Sequence, residues 1–166
     1  METKYKRIVQ ARELRDQDQL EESQAILLAL MAEFPEDPLV LYEVGGSYDV
    51  MGNQREAISY YEDAVDEGLS GDDLHECLIC LGSCHRVIGE FVEAVAALET
   101  AVAQFPQNKS GHVFLALAYY SNDQKEAAMR TLLDVLLQTT TNEDILAYAD
   151  VLEFYKNNLE EVWDEE

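Results

Sequence analysis

His75, Cys77, Cys80, Cys84 and His85 are the residues whose types and spacing come nearest to a reactive or metal-holding set in this chain. At roughly 100° per residue the three cysteines fall along one stripe of a helix over residues 73–88, so their sulfurs could converge. Zinc asks for more than a stripe, because a structural site draws tetrahedral ligands from more than one element, usually loops and helix starts. The Cys-x-x-Cys also lacks the helix-start setting of a thioredoxin-like motif. Free cysteine is a common small core residue. The expectation is therefore a packing role, with no metal and no cofactor.

Acid–base chemistry finds no firmer footing. His75, His85 and His112 are spread over two helices, and His85 reads as a core histidine with a hydrogen-bond partner. Pairs such as Glu62-Asp63 and Asp66-Glu67 have the spacing of a solvated helix face and stand in no acid/base motif. The sequence holds no glycine-rich phosphate loop and no nucleophile elbow. The chain is not expected to be an enzyme.

The elements that carry these residues recur. Ala11, Gly45, Gly82 and Ala116 fall 34, 37 and 34 residues apart, and the same steps separate Ser23, Ala57, Ala94 and Ala128. Turn formers follow the same register at Asp18, Gly52, Gly89 and Asp123, and so do the apolar residues Leu30, Ala64, Ala101 and Val135. Such a period means a stacked repeat array. One unit is clearest over residues 41–65, where Leu41, Val44, Gly45 and Tyr48 have helical spacing and Ala57, Ile58, Tyr61, Ala64 and Val65 resume it. Met51-Gly52-Asn53 lies between, so the unit is a helical hairpin. Gly52 and Gly89 suit a left-handed helix stop. Gly45 and Gly82 lie inside helices, where glycine costs about 1 kcal/mol relative to alanine. Close approach of two helix axes offsets that cost.

At these residues the chain resembles the tetratricopeptide repeat family. The family's pattern is matched by Leu41, Val44-Gly45, Tyr48, Ala57, Tyr61 and Ala64, and again by Leu78, Leu81-Gly82, His85, Ala94, Leu98, Ala101 and Pro106. The outer copies are weaker, keeping Ala11, Leu14, Ser23, Leu27, Leu30 and Pro35 in one and Leu115-Ala116, Tyr119, Ala128, Leu132 and Val135 in the other. Degenerate outer repeats are expected of caps that meet water. The resemblance implies an all-α fold, a right-handed α-solenoid of about four helical hairpins with a C-terminal capping helix. It is read as one domain over residues 1–166, with repeats near 4–36, 38–69, 73–106 and 109–139, a capping helix over 142–158 and a short acidic tail over 159–166. The step of 37 exceeds the family's usual 34, and the three extra residues are expected in the loop from Glu67 to Asp72. Leu159, Val162 and Trp163 are expected to pack on the capping helix, with docking elsewhere as the alternative.

Composition limits the partners. Eleven basic against 34 acidic side chains give a net charge of −23, which repels phosphate backbones and anionic lipid alike. Neither nucleic acid nor membrane is an expected partner. Residues 1–12 carry no secretory signal pattern and nothing approaches a spanning length, so a cytoplasmic location is expected. Residues 1–16 hold Lys4, Lys6, Arg7, Arg12 and Arg15 against Glu2, Glu13 and Asp16, while Glu160, Glu161, Asp164, Glu165 and Glu166 crowd the other end. Solvated faces explain both. Pairing between the basic helix and an acidic surface of another copy, giving a homodimer, is the sharper alternative.

Function then falls to the surface that stacking creates. The resemblance implies that the first helices of successive hairpins line a concave groove for a protein or peptide. On matched positions its floor is Ile8, Tyr42, Ile79, Val113 and Leu146, flanked by Arg12, Arg15, Asp49, Arg86 and Tyr120. Such a groove suits a peptide with apolar anchors and a few acidic groups; part of this stripe is otherwise core between hairpins. The family's carboxylate clamp falls on Ile8, Arg12, Glu43, Glu76 and Cys80, where one base and two acids speak against it. The expected function is a non-catalytic interaction scaffold. The alternative is a small acidic chaperone of the kind that serves bacterial secretion, weakened because those proteins usually carry an arm before the repeats and here the first repeat starts near Lys4.

Overall fold

The structure, a computed structural model, describes residues 3–163; Met1, Glu2, Asp164, Glu165 and Glu166 lie outside the described residues. Four helical hairpins follow one another: α1 (Lys4–Asp16) with α2 (Leu20–Glu33), α3 (Pro38–Val50) with α4 (Gln54–Asp66), α5 (Gly71–Val87) with α6 (Phe91–Gln104), and α7 (Lys109–Ser121) with α8 (Lys125–Thr139). Two short helices, α9 (Glu143–Leu146) and α10 (Ala149–Lys156), close the described chain, and no strand occurs among the described residues.

The hairpin turns share one geometry. Asp18, Gly52, Gly89 and Asp123 have φ of 61°, 81°, 88° and 58°. After each, an amide reaches back five residues: Gln19 to Leu14, Asn53 to Tyr48, Glu90 to His85 and Gln124 to Tyr119, at 2.8–2.9 Å. This is the Schellman closure, in which a left-handed residue lets the chain satisfy carbonyls that the helix end leaves open. Helix starts are fixed by side chains: Asp37 accepts from the amides of Leu39 and Val40 at 3.1 and 3.2 Å, with Pro38 just inside the helix. Asn108 and Asn142, in corresponding positions, accept from Ser110 and Ile145. These N-caps offset the missing first-turn acceptors.

The core is three seams between successive hairpins. Ile8, Ala11, Leu27, Leu30, Val40 and Val44 form the first. Leu41, Ile58, Tyr61, Cys77, Leu81 and Cys84 anchor the second, and Ala94, Val95, Leu98, Leu115 and Ala118 the third. The small-residue column does what its position requires. A Cβ on Gly45 would lie 2.7 Å from the Tyr61 ring, and one on Gly82 2.5 Å from Leu98 Cγ and 3.2 Å from the Ala94 carbonyl oxygen. Adjacent first helices touch, α1 to α3, α3 to α5 and α5 to α7, while no two of α2, α4, α6 and α8 are in comparable contact. The closer-packed layer is the inner one, so the first helices lie on the concave side.

Two expectations need correction. The extra residues of the third repeat do not sit in the loop; α5 starts at Gly71 and runs 17 residues against 13 for α3 and α7, so they add a turn to its N-terminus. The capping helix over 142–158 is not continuous, because a turn at Ala147-Tyr148 separates α9 from α10. Asp150 stands one repeat after Ala116, the place of the helix crossing. A carboxylate buried there without a partner would be costly. Instead α10 packs on α8, tied by Lys156, whose ammonium meets Asp134 and Glu153 at 2.6 Å each. The Trp163 ring lies 5.7 Å from that of Phe154 of α10, while Val162 is exposed.

Candidate functional site

On the side of the first helices, charged groups of α1, α3 and α5 are linked through Arg12, Arg15, Glu43 and Asp73. Glu43 is 2% exposed, an unusual place for a carboxylate. It is held from α1, with Arg12 Nε donating to Oε1 at 2.6 Å and Arg15 Nη1 standing 3.5 Å from Oε2. Arg12 also reaches Asp73 of α5 at 3.7 Å. Its hydrogen bond to Glu43, outweighing burial, raises the guanidinium pKa further. Two more pairs bridge the helices, Tyr42 donating to Glu76 and Tyr61 donating to Asp49, both at 3.2 Å. Burial, reinforced by neighbouring anions, pushes both phenols well above their ordinary pKa. They act as neutral donors.

Beside this network opens a cleft of about 160 Å³ lined by Arg15, Tyr42, Gly46, Asp49, Tyr61 and Cys80, among others. Gly46 keeps it open. A Cβ there would meet only the flexible end of Arg15 at 3.2 Å and the Tyr61 hydroxyl at 3.8 Å. The cleft has the size of one side chain and offers aromatic walls with a hydroxyl, a carboxylate and a guanidinium.

The structure sorts the expected groove residues into several settings. Arg12, Arg15, Tyr42 and Asp49 come together around Glu43 and the cleft. Ile8 is no part of a groove floor, since at 3% exposure it belongs to the first seam. Tyr42 and Ile79 are half-buried and lean on the second and third seams, and Val113 is half-buried too. Arg86 is half-buried on α5 and makes no ion pair among the described residues. Tyr120 and Leu146 are exposed near the far end, away from the cleft. What the sequence reading missed is Glu43 as the centre. Its signal was an acid at the position that holds Val9, Cys80 and Phe114 in the other repeats.

The cysteines do not form a reactive cluster. Cys77 and Cys84 are buried in the second seam, and the Cys77 thiol donates to the Tyr61 carbonyl at 3.7 Å. Burial pushes the thiol of Cys77 up to about 12 and that of Cys80 up to about 11, and raises that of Cys84 as well. Thiolates, the reactive and metal-binding form, are suppressed. His75 turns away, its Nδ1 3.0 Å from the Asn108 amide and its ring edge-on to Phe105. His85 Nδ1 lies 2.8 Å from Glu90. Among the described residues no group of three or more His, Cys, Asp or Glu side chains is placed to hold a metal ion.

A family model described as Tetratrico peptide repeat matches residues 38–152. The chain belongs to the tetratricopeptide repeat family. Solved structures share the tetratricopeptide architecture at low identity. The Cut9–Hcn1 hetero-tetramer of the APC/C superposes with a TM-score of 0.74 at 17% identity, over 92% of this chain and 29% of that one. The chain thus spans less than a third of that protein. Nearly identical repeats from a Podosopora anserina protein give 0.72 at 20%, over 93% and 86% of the two chains. MamA from Desulfovibrio magneticus RS-1 gives 0.70 at 17%, over 89% and 84%. These likenesses speak for the fold. A comparison with curated protein sequences found no match. No helix among the described residues is long and apolar enough to cross a membrane.

Proposed function

We propose that this tetratricopeptide array is a non-catalytic scaffold that holds an extended or helical segment of a protein partner along its concave side. The observation that carries the reading is the cleft beside Glu43, where Tyr42, Gly46 and Asp49 of α3 face Arg15 of α1 and Cys80 of α5. One anchoring side chain of the partner fits it, and the half-buried ring of Tyr42 supplies rigid contact area at low entropic cost. The positive charge that attracts acidic groups of the partner is Arg86. Arg12 and Arg15 are already engaged by Glu43.

Gly46→Gln tests this, because its side chain fills the cleft and the gain of about 0.5–1 kcal/mol from replacing a mid-helix glycine offsets the shift it asks of the Arg15 guanidinium 3.2 Å from the new Cβ. Pull-down from the source lysate with wild type, Gly46→Gln and Arg86→Glu as baits should show a shared set of proteins lost from both variants. Equal recovery by all three baits would mean the concave side is not the working surface. A set dominated by one or two secreted clients would favour the small acidic chaperone within the same binding mode.

A further inference from the structure

Inside the array every groove between the two helices of a hairpin is filled by the first helix of the next. The third seam shows how: α7 lays Leu115 and Ala118 against Val95 and Leu98 of α6, which are 8% and 1% exposed. One repeat later the same two positions are Met129 and Leu132 of α8, and they are 49% and 39% exposed. With Ala116, Leu117, Tyr120, Ala128 and the stem of Lys125, whose ammonium pairs with Asp123, they line an open, almost wholly apolar trough of about 240 Å³. The break between α9 and α10 is the reason. α10 packs on α8 and makes no comparable contact with α7, and the trough stays open.

The charge around the trough decides what can cover it. Residues 123–163 hold nine acids and three bases, and each base is already paired, Lys125 with Asp123, Arg130 with Glu126 and Lys156 with Asp134. Glu126 and Glu160 flank Met129 at the trough's end. Two copies meeting through this end would bring like charges together, and an anionic membrane would be repelled. The structure therefore points to a different occupant. We propose that the α7/α8 trough is a docking site for one amphipathic helix of a partner protein, apolar on one face and flanked by lysine or arginine. It is separate from the concave cleft and does not depend on it.

The probe is a stapled peptide reproducing α7, Lys109–Ser121, the kind of helix that fills the equivalent groove one repeat earlier. Stapling is needed because so short a helix is marginal alone. Two versions, one with three lysines appended and one with three glutamates, are titrated against the full chain by fluorescence anisotropy. The lysine version should bind at least about tenfold more tightly than the glutamate version, with the advantage shrinking as salt is added. Met129→Glu or Leu132→Glu, both at exposed positions, should abolish binding with helicity unchanged, while Gly46→Gln should leave it intact. Absence of binding by the lysine version, or binding untouched by both trough variants, overturns the proposal. So does concentration-dependent self-association of the wild type that Met129→Glu removes, because the occupant would then be a second copy.

Discussion

Arg12 of α1 and Glu43 of α3 are joined across the first two hairpins by a hydrogen bond of 2.6 Å, and of the two only the carboxylate is buried. The asymmetry matters. Removing Glu43 leaves two guanidiniums that water can reach, whereas removing Arg12 leaves a buried charge with only Arg15 at 3.5 Å. Arg12→Met should therefore destabilise by about 2–3 kcal/mol and Glu43→Gln by about 1 kcal/mol or less, since an orphaned buried charge costs more than a lost pair. Urea denaturation of the two variants measures it. The reverse order would mean Glu43 is not the liability its burial suggests.

Gly82 should tolerate nothing larger. Alanine in a mid-helix site normally gains about 1 kcal/mol over glycine, but here its Cβ would press on Leu98 Cγ and the Ala94 carbonyl. Gly82→Ala should lower the melting temperature, and Gly82→Leu should cost about 3 kcal/mol or more through overpacking. Gly82→Ala combined with Leu98→Ala should recover the crossing but leave a cavity. A Gly82→Ala variant more stable than wild type would place the crossing elsewhere.

Asp18 holds a left-handed conformation with φ of 61°, where Gly52 and Gly89 do the same work without a Cβ. The clash of Cβ with the following carbonyl costs about 1–2 kcal/mol, and glycine's extra unfolded-state freedom takes back about 0.5–1 kcal/mol. Asp18→Gly should raise stability by a few tenths to about 1 kcal/mol. A fall in thermal midpoint would show that the aspartate's carboxylate contributes more than its backbone strain removes.

Acid should loosen the junction of the first two hairpins. Burial alone would raise the Asp37 carboxyl, but the Lys4 ammonium and the amides of Val40 and Leu39 outweigh it and hold the group below the usual carboxylate range. A folded pKa below the unfolded value of about 3.9 contributes stability above that pH and loses it as pH falls through the folded value. Glu90, hydrogen-bonded to His85 and Arg55, shifts in the same direction. Wild type and Asp37→Asn should differ in unfolding free energy at neutral pH, and the gap should close as pH falls through the lowered folded-state pKa. A gap independent of pH would assign the effect to capping geometry alone.

The sequence by itself determined the repeat. Its four registered columns required hairpins, left-handed turns at Asp18, Gly52, Gly89 and Asp123, and close crossings at Gly45 and Gly82, because each depends on backbone conformation and local sterics. Those constraints are carried by single residues at fixed spacing, so they can be read in one dimension. Tertiary structure decided which way side chains point once hairpins stack. Ile8 and Tyr42 share a column, yet one is in a seam and the other walls a cleft. Glu43 is buried because Arg12 and Arg15 arrive from a helix some 30 residues earlier, with Arg12 lying 31 residues before it. The uncovered trough was equally hidden, since the exposure of Met129 and Leu132 depends on where α10 comes to rest, and that is settled by Lys156 meeting Asp134 across 22 residues. Pattern fixes local geometry; long-range pairing of charge and volume fixes what remains open to a partner.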